Sequence, residues 1–168
     1  MNKIIEDALN VQIEKEEYSS RFYLAGAIWC ETNGFPGAAK FLYEHADEER
    51  MHMLKLVHYV NDRGGVSKLS DMKQPPQEFA SLEELFVKIR DHEVYITNSI
   101  NELYGLTIEQ KDYTTGSFLQ WFITEQIEEE SLFNNVLDKI KLVGDSKVSL
   151  FHIDKELEAL AGQTDGNE

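Results

Sequence analysis

Apolar residues recur every three or four positions along nearly the whole chain, the spacing that places side chains on one face of an α-helix. The strict alternation typical of strands is absent. The pattern predicts four long helices, at about 3–32, 36–63, 82–109 and 113–143, and a shorter fifth helix at about 147–160. Residues 161–168 are predicted to form a polar, disordered tail.

Turn and cap signals set the order in which these helices pack. Ser81 and Glu84 have capping-box spacing at the start of the third helix, and either Asp112 or Thr115 could cap the fourth. Short connections make the first two helices antiparallel neighbours, and likewise the third and fourth, whereas about 17 residues join the two pairs. Residues 1–160 are therefore predicted to form one all-α domain, a four-helix bundle with one long crossover and a short fifth C-terminal helix.

Polar side chains interrupt the apolar seam at the middle of every long helix. They are Glu16, Glu49, His52, Glu93, Gln126 and Glu129, and the first helix also places Gln12 and Ser19 on its seam. Midpoints of packed helices of similar length share one level, so the six side chains should converge. Four unpaired carboxyl groups could not all ionise in a low-dielectric core, whereas two divalent cations would balance their charge. The pattern therefore predicts a two-metal site.

The ligand types narrow the choice of metal. Glu49 and His52 lie one helical turn apart, as do Gln126 and Glu129. Carboxylate-rich ligation with one imidazole favours iron or manganese over structural zinc. Glu49 could bridge two ions roughly 3.5–4 Å apart. Any one of these residues alone is more often a polar residue that sets helix register, and it is their coincidence on four helices that favours metal.

A second acidic cluster lies beside the first. Glu48 points away from the seam next to Glu49, and Glu125 and Glu128 form a stripe beside Glu129. Two interpretations stay open: a solvated acidic face, or an accessory metal site that shares Glu129.

Several aromatic and histidine residues have simpler interpretations. Tyr23 is predicted to lie in the core, where its phenol is placed either to be redox-active in catalysis or to hydrogen-bond to metal ligands. His45 is predicted to pack in the core or to hydrogen-bond to metal ligands, His92 to lie on the surface, and Trp121 to pack. Cys30 is predicted to be a small buried apolar residue.

Charge excludes some partners. Asp and Glu outnumber Lys and Arg by 31 to 16, for a net charge of -15, which argues against nucleic-acid and anionic-membrane surfaces and suits the attraction of cations. No apolar run approaches the roughly 20 residues of a membrane span. The N-terminal residues are acidic where a signal peptide is apolar, and the single cysteine allows no internal disulfide, so a cytoplasmic protein is expected.

On these residues the chain resembles a bacterial non-haem ferritin, over about residues 5–160. The motifs that carry the resemblance are Glu16 with Tyr18-Ser19-Ser20, then His45-Ala46-x-Glu48-Glu49-x-x-His52, Phe118-Leu119-Gln120-Trp121, and Glu125-Gln126-x-Glu128-Glu129-Glu130. The resemblance implies a ferritin-like fold and a homo-oligomer, a hollow cage of 24 subunits. It also implies oxidation of Fe(II) by O2 or H2O2 at a ferroxidase centre, with storage of ferric mineral inside the cage.

The same resemblance assigns roles to the seam residues. It implies a first iron bound by Glu16, Glu49 and His52, and a second bound by Glu49, Glu93 and Glu129 with Gln126 close by. It implies a third iron site formed by Glu48, Glu125, Glu128 and Glu129, and it places Tyr23 beside the centre.

Departures from related families narrow the resemblance. Bacterioferritins carry a second Glu-x-x-His pair where this chain has Gln126-x-x-Glu129, and Arg50 replaces their haem-ligating methionine, so haem is not expected. Gly116 and Leu119 stand where animal ferritins place the acidic pair of their three-fold pore. Two alternatives remain: a di-iron peroxidase or oxidase of the rubrerythrin kind, disfavoured because the chain has no Cys-x-x-Cys pair, and a non-catalytic acidic bundle.

Overall fold

The computed structural model describes residues 1–144 and 146–161, which form five α-helices and no strand. The helices are α1 (Lys3–Thr32), α2 (Pro36–Asp62), α3 (Leu82–Glu109), α4 (Tyr113–Val143) and α5 (Lys147–Leu160). The all-α class and the helix bounds are confirmed, except that α2 ends one residue early. Within the described residues, no helix combines the length and the hydropathy needed to cross a membrane. The predicted disordered tail lies outside the described residues from 162 onward.

Caps and turns explain where the helices start and stop. Ser81 Oγ accepts the backbone N–H of Glu84 at 3.1 Å, but the Glu84 carboxylate reaches back to Ala80 rather than to Ser81. Asp112, not Thr115, caps α4, because its Oδ1 accepts the backbone N–H of Thr115 at 3.1 Å. Gly64 follows α2 with φ 73°, a left-handed conformation that a glycine adopts without steric cost.

The crossover between α2 and α3 runs along the outside of α1. Near its start, Asn10 on α1 donates to the carbonyl of Val66 and accepts the N–H of Lys68. Near its end, the ring of Phe79 packs edge-on against Trp29, close to the other end of α1. The connection therefore spans most of the bundle's length, which leaves α2 and α3 parallel to each other.

The apolar core is divided into two clusters with a polar level between them. On α3, Ile89 belongs to one cluster and Ile96 to the other, and Glu93 lies between them. On α4, Phe133 and Phe122 are divided in the same way around Glu129. The buried carboxyls are therefore enclosed by hydrocarbon and aromatic side chains from both directions along the bundle.

The short helix α5 docks on the start of α2. The Asp154 side chain, 3% exposed, accepts the backbone N–H of Ala38 at 2.8 Å, which caps an otherwise unpaired donor. A Cβ added to Gly37 would lie 2.0 Å from the Asp154 carbonyl oxygen, so this close approach requires glycine.

Candidate metal centre

All six seam residues are buried at the polar level. Their exposed fractions do not exceed 5%, and each long helix contributes one carboxyl: Glu16 from α1, Glu49 from α2, Glu93 from α3 and Glu129 from α4. Their assignment as metal ligands remains a prediction, whereas their burial at one level of the bundle is a feature of the structure.

Glu16, Glu49 and His52 form one compact group. One ligand atom from each lies within 4.8 Å of the other two, and His52 Nδ1 is 3.5 Å from Glu49 Oε2. Two ligands of one ion, each bound at about 2.1 Å, are at most about 4.2 Å apart. Small side-chain adjustments would therefore bring these three donors to one ion.

Glu93 is held by neutral donors on both carboxylate oxygens. The Tyr23 hydroxyl donates a short hydrogen bond to Oε1, and Gln126 Nε2 donates to Oε2 at 3.0 Å. Burial, and then the negative charge of Glu93, raise the pKa of Tyr23 well above its usual range, so the phenol stays protonated and remains a donor. The carboxylate is thus oriented by two uncharged hydrogen-bond donors.

Two of the other carboxyls of the centre each have an unpaired oxygen within the described residues. Glu49 Oε2 and Glu129 Oε2 are buried without a hydrogen-bond partner. An unpaired buried oxygen of this kind is unusual and costly, and a bound cation is one partner that would offset the cost. The donor set therefore fits cations, which would satisfy both oxygens at once.

Burial and mutual proximity raise the pKa values of the carboxyl groups in the centre. Burial, and then the charges of Glu93 and Glu16, raise the pKa of Glu49 well above its usual range. Burial and the charges of Glu93 and Glu49 do the same to Glu129, and burial raises the pKa of Glu93 to about 7. Without cations the centre therefore favours protonated carboxyls, and bound cations would displace those protons.

The second acidic cluster meets the centre at Glu48. This half-buried carboxylate and that of Glu125 lie within 4.8 Å of a ring nitrogen of His52. Glu128 is exposed and belongs to neither donor group around Glu48, although its charge contributes to the raised pKa of Glu48, which burial dominates. The structure thus brings Glu48 and Glu125 together, whereas Glu128 lies outside the group that they form with His52.

His45 presents a free imidazole nitrogen to the same region. Its Nδ1 lies 2.8 Å from the carbonyl of Phe41, and a carbonyl can only accept, so Nδ1 carries the proton. Nε2 therefore keeps its lone pair, and this buried atom has no hydrogen-bond partner in the part of the chain that the structure describes. A ring nitrogen of His45 and carboxylate oxygens of Glu48 and Glu129 lie within 4.8 Å of one another. The sequence did not single out His45 as a metal ligand.

His92 was predicted to lie on the surface, and that prediction is wrong. Its ring is half-buried between α1 and α3, 5.3 Å from the ring of Phe22, with Nε2 2.7 Å from Ser19 Oγ. Burial lowers its pKa to about 4, so the imidazole is neutral at pH 7. Ser19 on the α1 seam was the available signal, because a buried hydroxyl requires a partner.

Trp121 does more than fill space. Its indole is 38% exposed and lies edge-on to the His52 ring, with 5.2 Å between the ring centroids. The Lys55 ammonium lies over the indole, 3.6 Å from the ring centroid. The indole therefore covers the outer side of a predicted metal ligand, and a cation–π contact holds it there.

Comparison with known proteins gives a consistent result. A family model described as a ferritin-like domain matches residues 6–143. The chain is 47% identical, over 89% of its length and 90% of the relative's, to a Haemophilus influenzae protein named "Probable bacterial non-heme ferritin-like protein". It is 42% identical to a bacterial non-heme ferritin of Campylobacter jejuni, over 96% of both chains. Its fold superposes with a TM-score of 0.92 on an open-pore ferritin from Archaeoglobus fulgidus, at 36% identity over 94% of this chain and 98% of that one.

Proposed function

The chain belongs to the ferritin family, and on that premise we propose that it stores iron and oxidises Fe(II) at its buried carboxylate centre. The observation that carries the proposal is the burial of one carboxyl from each of four helices at one level, where two carboxylate oxygens have no hydrogen-bond partner among the described residues. A structural role alone would favour apolar side chains at these positions, because unpaired buried charges destabilise a fold.

In this proposal iron is the substrate, and the protein holds two Fe(II) ions at reacting distance. Glu16, Glu49 and His52, which share one donor group, bind the first ion. As the resemblance implies, Glu49 bridges to a second ion bound by Glu93 and Glu129. Each Fe(II) gives up one electron, so the pair reduces either O2 to H2O2 or H2O2 to two waters, and either reaction takes up two protons. Four carboxylates offset the +4 charge of two Fe(II) ions and supply the hard oxygen ligands that Fe(III) prefers.

Two neutral residues orient the second ion's ligand. Tyr23 and Gln126 both donate to Glu93, so its carboxylate is ordered before an ion arrives. Ordered outer partners of this kind sharpen ligand geometry and raise metal affinity. Gln126 itself stays beside the second ion in this proposal, and Tyr23 acts through Glu93.

We also propose the accessory third iron site of Glu48, Glu125, Glu128 and Glu129. Its support is that Glu48 shares one donor group with Glu125 and another with Glu129. A ring nitrogen of His45 belongs to the second group, and His45 Nε2 has no hydrogen-bond partner among the described residues, so this imidazole offers a further ligand there.

The assembled state is proposed to be a homo-oligomeric cage of 24 subunits without haem. The outer face of α1 supports subunit contacts, because Leu24 and Ile28 are 43% and 51% exposed on one stripe. Arg50 occupies the position of the haem ligand in bacterioferritins, and its guanidinium cannot coordinate iron. A cytoplasmic location is proposed from the single buried thiol, Cys30, which has no disulfide partner in the chain.

Native mass spectrometry and iron loading test the proposal together. A particle near 24 times 19.4 kDa supports the cage, and a monomer or dimer contradicts it. Anaerobic Fe(II) titration followed by air should give rapid oxidation and a soluble mineral core with wild type. Glu129→Ala should nearly abolish rapid oxidation in an intact particle, and Glu109→Ala, an exposed position on α3, should behave like wild type. Wild-type rates in Glu129→Ala would refute the assigned centre, and oxidation without a mineral core would favour the enzyme-only alternative.

A further inference from the structure

A chain of three hydrogen bonds leads from the surface to Glu16. The Lys15 ammonium donates to Ser99 Oγ at 2.5 Å, Ser99 donates to Gln12 Oε1 at 2.6 Å, and Gln12 Nε2 donates to Glu16 Oε1 at 2.7 Å. Ser99 belongs to α3 and the other three residues to α1, so the chain crosses between helices twice.

The direction of this chain follows from the chemistry of its first member. An ammonium group has only donors, so Ser99 Oγ accepts from Lys15 and its single hydrogen is left for the Gln12 carbonyl oxygen. That bond fixes which way the Gln12 amide faces, and its N–H2 group is directed at Glu16. Every donor in the chain therefore points toward the metal centre.

The chain is enclosed except at its outer end. Gln12 and Ser99 are 1% and 6% exposed, whereas Lys15 is half-buried with its ammonium 5.2 Å from the ring centroid of Tyr95. Gln12, Lys15 and Ser99 line an open groove of about 590 Å³ between α1 and α3. The first link is thus accessible to solvent, and the last two links are shielded from competing water.

We infer that Gln12, Ser99 and Lys15 are positioning residues for the first metal ion, acting through Glu16; this inference rests on the proposed function. With Oε1 occupied by Gln12, the Glu16 side chain is held in the rotamer that brings a carboxylate oxygen within 4.8 Å of donor atoms of Glu49 and His52. An ion then meets a ligand that is already ordered, as on the Glu93 side of the centre. Loss of outer partners of metal ligands typically weakens binding by about 10- to 100-fold.

A purely structural role for this hydrogen-bond chain predicts a different result. If the chain only satisfies a buried amide, its removal lowers the melting temperature of the protein and leaves metal affinity unchanged. If it positions Glu16, its links act in series, and removal of a second link adds nothing once the chain is broken. Affinity and non-additivity therefore separate the two roles.

The test uses the assembled full-length protein in a Glu129→Ala background, which removes a ligand of the proposed second and accessory ions and isolates the first. Co(II) is the probe, and its visible d–d absorption reports both affinity and coordination geometry. Ser99→Ala and Gln12→Leu are each expected to weaken Co(II) binding by about 10-fold, the lower end of the range for such partners. The double variant should bind no more weakly than Gln12→Leu alone, and Ser99→Thr, which keeps the hydroxyl, should restore affinity. Lys15→Met removes the first donor of the chain and should also weaken Co(II) binding. Lys73→Met, at an exposed lysine on the crossover, is its charge control and should bind as the parent does.

Each outcome bears on the inference. Unchanged affinity in Ser99→Ala and Gln12→Leu, or strictly additive losses in the double variant, would overturn it. If Gln12→Leu does not assemble, the comparison of Ser99→Ala with Ser99→Thr decides alone. If the parent and the wild type both fail to bind Co(II) saturably, the proposed function fails, and this inference fails with it. A parent that binds while its variants are unchanged removes only the positioning role.

Discussion

Neutralising Glu93 should make the metal-free protein more stable at high pH. The folded-state pKa of this carboxyl is about 7, against an ordinary value of 4.5, because burial disfavours the charge. The folded protein therefore binds the proton more tightly than the unfolded chain, and stability falls as pH rises from 4.5 to about 7. At about 1.4 kcal/mol per pH unit, the full loss above pH 7 is about 3 kcal/mol from this one group.

Glu93→Gln removes that loss and keeps the shape of the side chain. The new carbonyl can still accept from Tyr23, but the new amide faces Gln126 Nε2 and forfeits a hydrogen bond worth about 0.5–1.5 kcal/mol. The net gain at pH 8 should be about 2 kcal/mol, or roughly 4–8 °C in melting temperature for a chain of this size. At pH 5 the wild type has lost only about 0.7 kcal/mol of this stability, which roughly balances the lost hydrogen bond, so the two proteins should melt at nearly the same temperature.

The assay is thermal unfolding followed by circular dichroism, on chelator-treated protein at one fixed concentration between pH 5 and pH 8. Glu102→Gln, an exposed position on the same helix, is the matched control and should melt in parallel with wild type. Saturating Co(II) at pH 8 should reverse the order of wild type and Glu93→Gln, because the ion stabilises the carboxylate. Parallel pH curves for Glu93→Gln and wild type would show that Glu93 does not carry a buried charge.

Three further substitutions probe other contacts. Tyr23→Phe keeps the core packing but removes a hydrogen-bond donor to Glu93. Stopped-flow absorbance should show Fe(II) oxidation slowed by about 10-fold, the lower end of the range for residues that hydrogen-bond to metal ligands. An unchanged rate would argue that the phenol does not orient Glu93. His45→Phe should lower the Co(II) stoichiometry at equilibrium dialysis by the accessory ion alone, and an unchanged stoichiometry would exclude His45 as its ligand. Asp154→Ala leaves the Ala38 N–H unpaired and should lower the free energy of unfolding by about 1–3 kcal/mol, measured by thermal unfolding. The Co(II) stoichiometry should not change. An unchanged melting temperature would show that α5 docks without this hydrogen bond.

The helices and the level of the centre could be predicted because their signals are local. Periodicity sets the helices, and the interruption of a seam at Glu93 or Glu129 is visible within one turn of sequence. The choice between Asp112 and Thr115 as the α4 cap stayed open because both side chains can accept an N–H. Only the backbone geometry settles that the acceptor is Asp112.

Contacts that cross between helices could not be predicted in the same way. Gln12 stood on the predicted α1 seam, but Ser99 did not stand on the predicted α3 seam, so their hydrogen bond was not visible. Such contacts depend on how far each helix is rotated about its own axis, and a single seam per helix leaves that angle undetermined. His92 was misplaced for the same reason, since it faces α1 from beside the seam that carries Glu93.

Each long helix supplies one carboxyl to the centre, so bound ions would connect the helices to one another. An ion held by Glu16 and Glu49 ties α1 to α2, and one held by Glu93 and Glu129 ties α3 to α4, with Glu49 joining the two pairs. In the proposed function, bound iron would therefore link all four long helices through one site, a link that protonated carboxyls do not supply. Loading should slow amide hydrogen exchange and proteolysis across all four helices at once, so the lifetime of the protein becomes coupled to the amount of iron it holds.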